Sequence, residues 1–361
     1  MDKKTQHGYL VLADISGYTS YLAGTELEHA HEVLTALLET IVKKFKTLLT
    51  IAKLEGDAVF AYAPEAKVPR GETLLELLEC TYTAFRDHVE MAHRRTTCTC
   101  NACRNMPSLD LKFLAHHGDY IIQNVAGISE LVGSDVNLVH RLLKNHVAEA
   151  TGWKAYALLT ETSLKHMTLL PEGMHAQSEA YEHLGEVKTF SQNMRQRYQE
   201  IKDAHRVFLP AAEADFVFHY DFSVPPPVIW DWINEPRKRL QWSEFDTFRW
   251  VLGRNGRTGK GAESHCMHGQ ELLNAETDLD WRPFDYYTFE GSHGPTVTTY
   301  QFEPLPDTGG TRLHMHVKGK MPLPDIVRKP LIQSQMGPRI KASVEKLAAL
   351  VAEEQRAAAA L

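Results

Sequence analysis

The sequence predicts an α+β protein built from two domains, and three observations carry the prediction. The chain has 361 residues, more than one hydrophobic core ordinarily organises and comfortable for two. Its composition shifts along its length: five of the six tryptophans (Trp230, Trp232, Trp242, Trp250, Trp281) and most of the prolines fall after residue 205. Apolar runs of strand length alternate with helical periodicity in both halves, the pattern of mixed sheet-and-helix layers. The seam is expected at Leu209–Asp215, after a polar helical stretch, dividing domain 1–205 from domain 206–361.

In the first half, Tyr9–Ile15 is an apolar run of strand length. Thr25-Glu-Leu-Glu28 reads as a capping box. The helix after it carries Val33, Leu37, Leu38, Ile41, Phe45 and Leu48 at helical spacing. Ile51–Ala61 reads as two short strands turning at Glu55-Gly56. Gly71–Arg95 is a second amphipathic helix, Leu109–Ala115 a strand and Val136–Lys144 a further helix. The order predicts one sheet with helices on a face. In the second half, strands are expected at Phe216–Phe222, Ser264–Glu271, Tyr286–Glu290, Thr296–Phe302 and Thr311–Gly319. Short helices are expected around Val228–Ile233, and a long helix from Asp325 onward puts Ile340, Val344, Leu347 and Val351 on one face.

Composition excludes several classes. Hydrophobic residues make 43% and charged residues 24%, a globular mix. The net charge is −7, and no basic run exceeds His93-Arg94-Arg95, so no nucleic-acid partner is expected. No apolar run approaches the ~20 residues of a membrane span, so no membrane partner is expected. The first residues run into Asp14 without a long apolar stretch, so no signal peptide and a cytoplasmic location are expected. Five cysteines are an odd count, which suits reduced thiols or a metal site better than a disulfide framework.

Two aspartates stand out. Asp14 closes a buried apolar strand in Leu-Ala-Asp14-Ile-Ser-Gly17-Tyr-Thr, and Asp57 follows the hairpin turn in Lys53-Leu-Glu-Gly-Asp57. Carboxylates beside a buried strand are costly unless paired or metal-bound. On neighbouring strands, two of them can share hard cations. The alternative is that Asp14 caps a helix and Asp57 belongs to a turn.

A third segment, Gly133-x-x-Val-Asn137-x-x-x-Arg141, joins these two. Together they resemble the class III nucleotidyl cyclase catalytic domain, in that family's order, over roughly residues 8–195. The resemblance implies a ferredoxin-like sandwich. It makes Asp14 and Asp57, with the Ile15 backbone, the ligands of two Mg²⁺ or Mn²⁺ ions per site. Gly17, Tyr18 and Thr19 would meet the triphosphate of a nucleoside triphosphate. Lys53 and Glu130 would read the base, with ATP favoured. Asn137 and Arg141 would orient the ribose and stabilise charge at the reacting phosphate. Because one chain carries the whole set, the resemblance implies a homodimer that makes a 3′,5′-cyclic nucleotide and pyrophosphate. The family's phosphate-contacting lysine is expected near Tyr181–Gly185, where Glu182 and Leu184 stand, with Lys188 the substitute. The alternative is a catalytically silent nucleotide-binding sensor whose output lies in the second domain.

Cys98-Thr-Cys100-Asn-Ala-Cys103 lies in an insertion spanning 96–108. Three thiolates so close can surround one Zn²⁺; His93 or Cys80 would supply the fourth ligand. The alternative is a surface loop of free thiols. Elsewhere, His29, His31 and His116-His117 read as solvated or core-rim histidines.

The second half, with Phe216–Phe222 leading into Val224-Pro-Pro-Pro-Val-Ile-Trp230, and with a long terminal helix, resembles the START-like, polyketide-cyclase-like superfamily. That resemblance implies a helix-grip fold around a cavity for an apolar small molecule. Trp242, Trp281, Tyr287 and Met315 are the candidate pocket residues. A third reading makes this domain an enzyme of small-molecule metabolism with the first as its scaffold.

Overall fold

The computed structural model describes residues 4–95, 98, 100–204, 206–251, 256–268, 272–292 and 296–359. The chain divides into two compact units, Met1–Ala204 and His205–Leu361.

The first unit runs β1 (Gln6–Ser16), α1 (Tyr18–Ala23), α2 (Leu27–Phe45), β2 (Thr50–Glu55), β3 (Ala58–Pro64), α3 (Glu72–Arg95), α4 (Asn101–Asn105), β4 (Asp110–Val125), β5 (Ile128–Val132), α5 (Ser134–Leu142), α6 (Val147–Thr151), β6 (Tyr156–Thr160), α7 (Glu161–Met167), β7 (His175–Tyr181), β8 (Gly185–Asn193) and α8 (Met194–Asp203). The sheet order is β2-β3-β1-β4-β6-β8-β7, with β5 paired to β4. β1 is antiparallel to both β3 and β4, and β2 to β3. The four strands β2-β3-β1-β4 thus form the ferredoxin-like sheet, in which β1–α2–β2 and β3–α3–β4 each leave one place for another strand.

Residues Tyr9–Ala13 of β1 are buried without a break, which requires cover on both faces. On one face, α2 supplies Leu34, Leu37, Ile41 and Phe45, with Phe45 against Phe113 at 6.2 Å between centroids. On the other, Leu10, Leu12, Phe60 and Leu114 pack with Val136, Val139 and Leu142 of α5. Helices on a single face were expected; α5 closes the second. The capping box is also not formed. Glu26 is the N-cap residue of α2 without a side-chain cap bond. Its carboxylate instead accepts from the amides of Asn101 and Ala102, while the Thr25 hydroxyl donates to the Tyr21 carbonyl.

The second unit runs β9 (Phe216–Phe222), α9 (Pro226–Asn234), α10 (Pro236–Trp242), β10 (Thr247–Val251), β11 (Glu263–His268), β12 (Leu272–Arg282), β13 (Tyr286–Gly291), β14 (Thr296–Leu305), β15 (Gly310–Gly319) and α11 (Asp325–Ala359). It is an antiparallel sheet in the order β10-β11-β12-β13-β14-β15-β9. Val344, Leu347 and Val351 of α11 enter one core with Trp230, Tyr287, Phe302 and Met315, the helix-grip arrangement. Proline suits the first turn of α9, where an amide hydrogen would lack a partner. The strand expected over Ser264–Glu271 is present as far as His268, residues 269–271 lie outside the described residues, and β12 is a separate strand. Asp278 and Asp280, buried within it, obscured its apolar pattern; β10 was not anticipated either.

Candidate functional site

Asp14 lies at the end of β1, in register with Ala58 of β3 on one side and Lys112 of β4 on the other. Asp57 occupies the β2–β3 turn. The Ile15 amide donates to its carbonyl oxygen at 3.3 Å, fastening the turn to β1. Burial and the Asp14 charge push the Asp57 carboxyl up to about 6, against the pull of Lys112. The Lys112 ammonium stands 3.1 Å from the Asp14 carboxylate. The two aspartates therefore form one centre with excess negative charge and hard oxygen donors, a set that fits a divalent cation such as Mg²⁺ or Mn²⁺. Sequence reasoning missed Lys112. Its register opposite Asp14 is visible only once β1 and β4 are paired.

Gly17 follows with φ of 91°, a left-handed conformation that a side chain would strain. It turns the chain from β1 into α1 and leaves Gly17 and Thr19 exposed, with Tyr18 partly so. This is the segment expected to meet phosphate.

Lys53 on β2 and Glu130 on β5 come within 3.9 Å. Glu55 approaches the same ammonium at 2.8 Å, and first Glu55, then Glu130, raises its pKa. Glu55 also meets His140 at 3.4 Å. Asn137 and Arg141 stand exposed on α5, opposite its buried Val136, Val139 and Leu142. Among the described residues no side-chain hydrogen bond or ion pair ties them to Asp14 or Asp57. α5 itself is pinned to β4 through Asp135, which accepts the Asp119 amide and lies 3.3 Å from His116.

Lys188, the expected phosphate-contacting substitute, follows Val187, which packs with the α5 core. Alternation along β8 sends the lysine to the opposite face, where it acts on Glu161. It does not join the Asp14–Asp57 centre; Lys112 is the cation there.

The cysteine segment holds a correction. His29 of α2, not His93, reaches Cys98, Cys100 and Cys103; their ligand atoms all lie within 4.8 Å of one another. Neither His93, exposed on α3, nor Cys80 belongs to this group. α4 folds back over the start of α2, where the Glu26 carboxylate receives it, and this brings together residues about seventy apart in sequence. Residues 96, 97 and 99 of the predicted insertion lie outside the described residues.

In the second unit a cavity of about 420 Å³ is lined by Trp242, Phe289, Tyr300, Met315, Val344 and Arg239, among others. Of the expected pocket residues, Trp242 and Met315 line it. Trp281 and Tyr287 instead pack around Trp230 at 4.7 and 5.6 Å. Arg239 is 4% exposed. Its Nη1 donates to the Ile233 carbonyl and its guanidinium lies 4.6 Å from the Trp242 ring, but its buried Nε has no hydrogen-bond partner.

Residues 214–352 match the family described as polyketide cyclase / dehydrase and lipid transport. The second unit is similar to that family. Residues 34–151 match a family described as protein of unknown function (DUF2652). An uncharacterized protein of Mycobacterium tuberculosis is 39% identical over 116 residues, 31% of this chain; the match spans about half (51%) of that relative. Among solved structures, the chain is similar to the guanylyl cyclase Cya2 at 14% identity and TM-score 0.41, over 53% of this chain and 93% of that one. It is also similar to the adenylyl cyclase CyaB from P. aeruginosa at 16% identity and TM-score 0.40, over 53% and 95%. At these identities the residues of this chain, not the likeness, must carry a function. No helix among the described residues is long and apolar enough to cross a membrane.

Proposed function

We propose that the first unit is a nucleotidyl cyclase acting as a homodimer, with ATP its favoured substrate. The observation that carries this reading is the pairing of Asp14 and Asp57 at the ends of adjacent strands, beside the exposed Gly17–Thr19 turn. Mg²⁺ or Mn²⁺ held by the two carboxylates and the Ile15 carbonyl would acidify the ribose 3′-hydroxyl and neutralise the triphosphate. Lys112 shares Asp14 before substrate arrives and limits the charge left bare. The exposed backbone of Gly17–Thr19 would take the phosphates.

Lys53 and Glu130 would read the base. Adenine offers an acceptor ring nitrogen to the ammonium and a donor amine to the carboxylate. Guanine would turn its carbonyl oxygen toward Glu130, anion against lone pair, so ATP is favoured. Asn137 and Arg141 point away from their own unit's core. Their exposure supports a site completed across a symmetric dimer, where Arg141 of the partner subunit would meet charge developing on the phosphate. The 3′-oxygen attacks the α-phosphorus in line and pyrophosphate leaves.

The test is mass spectrometry of products after incubating the purified full chain with each nucleoside triphosphate and Mn²⁺. A cyclic nucleotide lost in Asp14→Ala and Asp57→Ala supports the reading. Nucleotide binding without product supports a silent sensor instead.

For the second unit we propose an amphipathic ligand: an apolar body filling the cavity and an acidic group on Arg239. Tyr300 and Glu276 already act on the buried guanidinium from the cavity wall, and its Nε, which has no hydrogen-bond partner, is the donor left for the ligand's acidic group.

A further inference from the structure

We propose that His29, Cys98, Cys100 and Cys103 hold one zinc ion, which clamps the α4 segment onto the start of α2. This site is separate from the Asp14–Asp57 centre. His29 Nδ1 lies 3.2 Å from Cys100 Sγ and 3.6 Å from Cys98 Sγ. All four ligand atoms fall within 4.8 Å of one another. Tetrahedral zinc with three thiolates and one imidazole needs ligand-to-ligand separations of about 3.5–3.8 Å. The four side chains therefore need only small rotamer adjustments to close on an ion. Three thiolates select a soft or borderline metal, unlike the oxygen donors of the aspartate centre.

The surroundings are built for a fixed ligand set. The Cys103 amide donates to Cys100 Sγ at 3.4 Å, the kind of outer contact that orients a ligating thiolate. Glu26 accepts from the amides of Asn101 and Ala102. The Tyr21 hydroxyl donates to the Ala102 carbonyl at 2.9 Å. These bonds tie α4 to α1 and α2 without a metal; zinc adds the covalent-strength tie that loops of this size lack. The same loop ends at Ser108, whose carbonyl oxygen lies 3.5 Å from where a Gly17 side chain would begin. The clamp thus braces the chain on both sides of the exposed Gly17–Thr19 turn.

The test is elemental analysis of the full chain, purified with reductant and without chelator, and of variants. About one zinc per chain is expected, lost in Cys100→Ser and in His29→Ala and kept in His93→Ala. Chelator-stripped wild-type protein titrated with Co²⁺ should show thiolate charge-transfer absorption and tetrahedral d–d bands. Amide exchange over residues 21–29 should quicken on stripping and slow again on zinc addition. The cobalt and exchange readouts hold even if the variants fail to fold, and neither depends on cyclase activity. A folded protein that carries no zinc and gives no cobalt–thiolate bands overturns the site. Zinc kept in His29→Ala but lost in His93→Ala overturns the ligand set.

Discussion

The Ile15 amide donates to the Asp57 carbonyl at 3.3 Å, and this one bond places two carboxylates from separate parts of the sequence at a common edge. Asp14 stands next to Ile15 in the chain, and Asp57 is held beside it. Burial, and after it the neighbouring Asp14 charge, makes ionisation of Asp57 harder. That cost is a standing tension in the protein without a cation.

Relieving it should stabilise the fold while removing activity. Asp57→Asn is expected to raise the stability of chelator-treated protein by roughly 1 kcal/mol, a shift of about two pKa units discounted for a half-exposed site. The same change should abolish cyclic-nucleotide formation. Thermal melting in chelator, paired with product analysis, checks both; a destabilised Asp57→Asn would show that burial and the Asp14 charge do not strain the Asp57 carboxylate.

Base reading separates from chemistry. Lys53→Ala should raise KM for ATP about tenfold and narrow the ATP-over-GTP preference, with a smaller loss in kcat, because the ammonium holds the base equally in ground and transition states. Steady-state kinetics with both nucleotides decide it. A loss confined to kcat would place Lys53 at the reacting phosphate.

His117 gives the pH dependence. Burial, then the neighbouring His166, pushes its pKa down to about 4, and its Nε2 has no hydrogen-bond partner. Unfolded, the ring takes a proton near pH 6.5; folded, it resists. The unfolded chain therefore binds more protons between pH 6.5 and 4, and stability falls as pH drops through that window. The expected loss is about 2 kcal/mol. Denaturant melts of wild type and His117→Phe at pH 7.5 and 4.5 should differ in slope, with the variant flatter.

Arg239 tests the ligand of the second unit. Arg239→Met should weaken binding of a long-chain carboxylate by roughly 10–100-fold, the worth of a charge-assisted hydrogen bond in a dry site. Binding of the matching alcohol should change little. Equal losses for both would mean that the guanidinium only shapes the cavity.

Much of this was legible in the sequence for a physical reason. Strand β1 is a continuous apolar run because both its faces are covered, and such runs are visible without coordinates. Helices α2 and α11 bury one stripe each, so their spacing shows. β12 escaped notice because buried Asp278 and Asp280 interrupt its apolar pattern, and Asp280 is satisfied by partners such as Tyr286, whose hydroxyl donates to it at 2.6 Å. Local pattern cannot register a partner that the fold supplies later.

The same boundary runs through the sites. Local sequence by itself determined Asp14, Asp57, Asn137 and Arg141 as residues of interest, and the cysteines as one cluster, because each sits in a short motif with fixed spacing. Only tertiary structure decided that Lys112 faces Asp14, that Lys188 turns to the other face, and that His29 completes the thiolates in place of His93. Strand register and the return of α4 over α2 set those three pairings, and both depend on hydrogen bonds between segments far apart in the chain.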